Sequence, residues 1–214
     1  MKEVKIFQQM YRDGHVSRRE FLAAMGALGI TATTAGSLLT SASALAATPT
    51  RGGSVIFASN LHGPDDTLDP LLGTSTIDYT RSNASRNGLI QIWDDMSLNA
   101  ELAEEWSVNS NATEYTFKIR KGVTFHDGSG LTAEDVVWSM DRHRGEDSPS
   151  SIKSFFTNVT GWQAVDKHTV KLSLSSPDAD MPYKLTQPQA KIVKANATDW
   201  LTAGSGPYLV DSFQ

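Results

Sequence analysis

The side chains that could do chemistry are five histidines, His15, His62, His126, His143 and His168, and two acidic pairs, Asp94-Asp95 and Glu104-Glu105. A metal site would need a second imidazole or carboxylate at ligand spacing, and none of the five histidines has one. Neighbouring carboxylates diverge in direction, so both pairs read as solvated faces rather than as an acid–base couple. There is no Gly-x-Ser-x-Gly elbow and no His-Glu-x-x-His run. Gly204-Ser205-Gly206 lacks the third glycine, the lysine and the following helix of a phosphate loop. The absence of cysteine excludes disulfides, thiolate metal sites, thiol nucleophiles and a lipoprotein anchor. No catalytic residue, metal or cofactor is therefore expected. His62, in the loop at residues 60–70, is the one histidine worth testing against a ligand.

The elements that must position any site centre on residues 115–144. Tyr115, Phe117 and Ile119 alternate with Thr116, Lys118 and Arg120, the period of a half-buried strand. Val123 and Phe125 resume the alternation after Lys121-Gly122, which predicts a second strand, and Asp127-Gly128 supplies a turn. Thr132 is a good helix cap with Asp135 three residues on. Ala133, Val136, Val137 and Met140 then share one helical face. Strand, turn, strand, turn and capped helix make a scaffold.

Around this block, residues 54–59 (SVIFAS) read as a short apolar strand. Ser75 or Thr76 could cap a helix running from Asp78 to about Ile92, with residues 91–98 a strand entering a turn. Trp106 is expected in the core. Residues 109–113 form a turn, residues 145–151 a polar loop, and residues 152–156 an apolar patch. Val170, Leu172 and Leu174 alternate in the second arm of a hairpin around residues 166–168. Residues 181–185 read as a helical turn, Ile192 and Val193 as a buried strand, and residues 208–213 (YLVDSF) as a last strand.

Residues 1–46 stand apart. Ser17-Arg18-Arg19-Glu20-Phe21-Leu22 matches the twin-arginine export pattern. A weakly apolar run rich in Ala, Gly and Thr follows to about Leu39, and Ala44-Leu45-Ala46 fits a cleavage site near Ala46. The competing reading is a membrane anchor, disfavoured because small residues dominate the run. Residues 1–46 hold five of the 19 Lys/Arg and three of the 24 Asp/Glu. The remainder therefore carries 14 basic and 21 acidic residues, a net −7. Nothing in that balance suggests nucleic-acid binding.

The run YTFKIRKGVTFHDGSGLTAEDVVWS, residues 115–139, resembles the signature of family 5 extracellular solute-binding proteins, the dipeptide, oligopeptide and nickel receptors of ABC importers. Ser129-Gly130 departs from it, where the family often has a small residue and Pro. The resemblance extends to Thr67-Leu68-Asp69-Pro70, to Leu102-Ala103-Glu104-Glu105-Trp106 and to Gly204-Ser205-Gly206-Pro207-Tyr208. It is looser at Asn87-Gly88-Leu89-Ile90, where the family has an aromatic and an acid. It implies a mixed α/β (α+β) fold of the periplasmic-binding-protein-like type II kind. Residues 47–214 would be its first lobe only, because family members usually continue into a second. It also implies a periplasmic monomer that binds a peptide or similar small solute and docks on a permease in the inner membrane. The twin-arginine translocase would be the export partner. By the same resemblance Asn60, Thr74, Ser75, Thr76 and Phe155 are candidates to face the ligand cleft. The alternative is an exported hydrolase or cofactor enzyme, supported only by the export route and a few scattered polar residues.

Overall fold

The computed structural model describes residues 2–12, 15–30, 52–59 and 63–213. Two units divide the chain, Met1–Phe57 and Ala58–Gln214. The first contains α1 (Lys2–Arg12) and α2 (Arg18–Ala27). The second runs α3 (Thr76–Ser85), β1 (Asn87–Gly88), β2 (Ile90–Ile92), β3 (Leu98–Ala100), β4 (Ala103–Val108), β5 (Glu114–Ile119), α4 (Ala133–Asp141), β6 (Val159–Asp166), β7 (Thr169–Leu174), α5 (Met181–Lys184) and β8 (Lys191–Ile192). Among the described residues it also holds two single 3-10 turns, Pro70–Leu72 and Lys153–Phe156.

In the second unit, the alternation at residues 115–119 sets the main sheet. β5 lies in a four-stranded antiparallel sheet of order β4-β5-β7-β6. Its register places Phe117 between Trp106 and Val170, while Trp162 faces Leu172 across β6 and β7. Tyr115, Phe117 and Ile119 are buried on the inner face, as their period requires. On the outer face Lys171 pairs with Glu114 at 2.6 Å. Helix α4 lies against β6, β7 and β8, burying Ala133, Val136 and Met140. The Asp135 carboxylate starts the helix by accepting from Thr132 N (2.8 Å) and Oγ1 (2.9 Å). Its other oxygen accepts from Ala195 N at 2.9 Å. Ser139 exchanges two 3.0 Å hydrogen bonds with the Val193 backbone. One helix face thus packs the sheet while its polar side chains stitch the end of β8.

Several sequence expectations need correction. Residues 54–59 form no strand: Val55 is 92% and Ile56 95% exposed, without a ladder. Residues 208–213 form none either, and Tyr208 and Leu209 are exposed. An apolar or alternating run signals strand tendency, but a strand exists only where a neighbour accepts its backbone groups. Val123 and Phe125 lie in a turn closed by a single bridge from Thr124 to Gly130. Phe125 is nonetheless buried, and Gly128 sits at φ 85°, where a side chain would be strained. Helix α3 stops at Ser85 rather than near Ile92. Arg86 is extended, and Leu89, in the bend between β1 and β2, is buried together with Ile90. Trp106 packs against the core while staying partly exposed. The hairpin is as expected, with β6 beginning at Val159.

A tight joint connects the 124–130 turn, the 204–208 turn and the end of α3. His126 N donates to Gly204 O at 2.8 Å, and His126 Nε2 donates to Gly206 O at 2.9 Å. Gly206 N donates to Ser85 O at 2.9 Å. A Cβ on Gly204 would lie 2.1 Å from Ser85 O, and one on Gly206 2.4 Å from Ser85 C. Backbone meets backbone here, so no side chain fits at either glycine. Gly206→Ala is expected to cost about 3 kcal/mol by urea unfolding. Gly161→Ala, which meets nothing within 4 Å, should cost almost nothing. Equal costs would contradict the joint.

His143, just past α4, is buried with Nδ1 2.7 Å from Ser150 Oγ and its ring 5.3 Å from that of Phe156. Burial, reinforced by the adjacent Arg142 charge, pushes its pKa down to about 4 from an ordinary 6.5. The unfolded chain therefore takes up the proton first. This part of the stability is complete above pH 6.5 and is lost as pH falls toward 4. About 2.5 kcal/mol should disappear between pH 7 and pH 4.5. His143→Gln should flatten that slope in urea titrations, and an unchanged slope would contradict the assignment.

Candidate functional site

The loop at residues 63–75 and the first turn of α3 hold most of the residues that the sequence singles out. Two buried carboxylates shape it. Asp69 caps the Pro70–Leu72 turn, its Oδ1 accepting from Leu71 N at 3.1 Å. Both its oxygens also take the Arg142 guanidinium in a two-pronged pair, Nη1 to Oδ1 at 3.1 Å and Nη2 to Oδ2. Arg142 lies just beyond α4, so the pair bolts the loop to the main scaffold. The guanidinium lies 4.7 Å from the Trp138 ring centre and 5.4 Å from that of Trp200.

Asp78, in the first turn of α3, organises the other end. Its oxygens accept from Thr67 N (3.1 Å), Thr74 N (3.3 Å), Ser75 N (3.2 Å) and Ser75 Oγ (2.8 Å). Arg81 pairs with it at 3.3 Å and with Asp66 at 3.0 Å. Burial raises the Asp78 pKa, but the donors from Thr67, Ser75 and Thr74 outweigh it and hold the carboxyl below its ordinary value. The loop is thus folded around negative charge that its own amides neutralise.

This geometry sorts the candidates. Ser75 is committed to the helix start, where it and Asp78 form a reciprocal capping box. Thr74 and Thr76 flank it with exposed side chains. Phe155 is 37% exposed, whereas Phe156 is buried in the core. The Gln189 amide joins the two regions: Nε2 lies 3.1 Å from Tyr79 Oη, 3.3 Å from Ser151 Oγ and 3.4 Å from Gly73 O. Gly73, Tyr79 and Ser151 are therefore brought together, with Thr74 and Phe155 on the flanking stretches. Asn60, His62 and Ala46 lie outside the described residues. Arg18 and Arg19 are exposed in the first turn of α2.

Sequence reasoning missed Arg142, Gln189 and buried Arg86. The guanidinium of Arg86 donates to Ser85 Oγ at 2.6 Å and Trp200 O at 2.8 Å. Apart from the adjacent Ser85, the partners of these residues lie far along the chain, so no local spacing announces the contacts. The Ser-x-x-Asp spacing at residues 75–78 was the one available signal. Among the described residues no group of acidic or imidazole side chains could hold a metal ion.

Residues 97–214 match the family described as "Bacterial extracellular solute-binding proteins, family 5 Middle". The chain is 28% identical over 156 residues to the glutathione-binding protein GsiB of Escherichia coli (strain K12), covering 69% of this chain and 30% of that protein. GsiB of Pectobacterium atrosepticum is 30% identical over 148 residues, covering 66% and 29%. Among solved structures, AgaA in complex with agropinic acid from A. tumefacien R10 aligns with a TM-score of 0.66 at 30% identity, covering 71% of this chain and 32% of that one. Helicobacter pylori DppA in complex with peptide STSA aligns at 0.58 and 23% identity, covering 68% and 34%, a likeness of fold alone. This chain spans about a third of the length of the proteins it matches. Its mixed helices and sheets are those of the periplasmic-binding-protein type II fold. These relatives are binding proteins rather than enzymes, and the chain belongs to family 5 of the bacterial extracellular solute-binding proteins.

Proposed function

We propose that this chain belongs to the solute-binding component of an ABC importer, taking a peptide or similar small polar solute. The match over residues 97–214 carries this reading. The ligands named for its relatives, glutathione, agropinic acid and a peptide, support the solute class. Thr74, Thr76 and Phe155 are proposed to face the solute, together with Asn60. Ser75 would act by positioning them through the capping box. The mechanism is non-covalent. Solute would enter between two lobes, one of them built by residues 47–214, and closure would be favoured by contacts made only in the closed form. A closed, monomeric receptor would then dock on a permease in the inner membrane.

Residues 1–46 are proposed as a twin-arginine signal, read by the translocase through Arg18 and Arg19 and cut near Ala46, which places the mature protein in the periplasm. Among the described residues no helix is long and apolar enough to cross a membrane.

Two measurements test this reading. In a thermal-shift panel of glutathione, short peptides and agropinic acid, at least one solute should raise the Tm of the full-length receptor. Saturation at 100 times Kd corresponds to about 2.7 kcal/mol. Thr74→Ala with Thr76→Ala should weaken that solute about tenfold, or ~1.4 kcal/mol, without altering the ligand-free Tm. No shift with any solute, alongside measured turnover of a substrate, would contradict the receptor reading. Separately, Arg18→Lys with Arg19→Lys should leave the precursor in the cytoplasm on fractionation, and normal export would refute the signal.

A further inference from the structure

In the first unit, the six residues of the export motif are not equally available. Ser17 and Glu20 close a capping box, Ser17 N donating to Glu20 Oε2 at 2.7 Å and Glu20 N to Ser17 Oγ at 3.3 Å. That box starts α2 and sets Arg18 and Arg19 exposed in its first turn. Cations are disfavoured at the positive end of a helix, so the arginines do not serve helix stability. Phe21 has the opposite fate. It is 0% exposed, as is Met25 one turn on. Val4, Phe7 and Tyr11 of α1 pack on them, with the Tyr11 and Phe21 ring centres 5.6 Å apart. These α1 residues recur at three- and four-residue spacing, one apolar stripe laid along α2.

A motif that specifies Phe after its arginines is read through that ring only when a partner can touch it. We propose, resting on the reading of residues 17–22 as a twin-arginine signal, that α1 is a cover on the motif. It leaves Arg18 and Arg19 free for first encounter and withholds Phe21 from the translocase until α1 is displaced.

Two features suit a cover that opens. Helices of 11 and 10 residues are too short to persist without each other, so loosening one contact frees both. Among the described residues the mini-core holds two fully buried side chains. The delay it imposes fits the cargo as well. The main sheet pairs Tyr115 with Leu172, far apart in sequence, and non-local pairing of this kind is slow to form. A signal that is read late leaves time for that pairing before a pathway that carries folded cargo engages it.

The test uses the full precursor in cells that possess the translocase, followed by pulse-chase. Phe7→Ser lies outside the motif and should speed export at least threefold. Arg18→Lys with Arg19→Lys should block it. Because the chain has no cysteine, Met25→Cys supplies a single thiol as a gauge of closure. In the purified precursor it should react with a maleimide at least tenfold more slowly than an unfolded control, and adding Phe7→Ser should erase the difference. If the arginine pair blocks export but Phe7→Ser leaves it unchanged or slower, the cover is overturned while the signal stands. A Met25→Cys thiol as reactive as the unfolded control also overturns the cover. Normal export of the arginine variant overturns the signal reading and the cover with it.

Discussion

The architecture around the candidate site depends on one charge pair, Asp69 with Arg142. The carboxylate belongs to a loop without regular structure, and the guanidinium to the residue that ends a packed helix. Each is mostly shielded from water, so the pair works in a medium where its attraction is strong and breaking it is costly. Asp69 Oδ1 also accepts from Leu71 N, so one oxygen serves both the turn and the guanidinium. Loop, turn and helix are thereby one rigid piece. Asp78 extends it by gathering the amides of Thr67, Thr74 and Ser75. Around Ser75, the groups left exposed once those are used include the side chains of Leu72, Thr74 and Thr76.

The motif residues that invite a chemical reading turn out to be joints. His126 sits in a run that could suggest a catalytic histidine, yet it donates to two glycine carbonyls and closes a seam. Gly204 and Gly206 resemble a phosphate loop, yet they are small because the backbone of Ser85 and Arg86 lies against them. These motif positions are where segments distant in sequence meet.

Much of this was legible in advance, for physical reasons. Period-2 alternation at residues 115–119 and the apolar stripe of α4 report burial directly, since packing imposes those periods. The cap at Thr132 and the hairpin around residues 166–168 are local, so local spacing reveals them. Residues 54–59 and 208–213 show the limit: their pattern fits a strand, while the edge that would pair with them is a property of the rest of the chain. Arg142 and Gln189 show the same limit for the site. Asp69 lies 73 positions from its guanidinium, and Gln189 reaches Gly73 across 116. Ser75 was legible as a cap, and that role occupies its hydroxyl.

Amide hydrogen exchange across residues 67–75 tests the central claim most directly. If buried Asp69 and Asp78 hold the loop, the amides of Thr67, Leu71, Thr74 and Ser75 will exchange far more slowly than an open loop, and Asp78→Asn will release Thr67, Thr74 and Ser75 together. Exchange of those amides at the rate of an unstructured peptide in the unaltered protein would contradict the account.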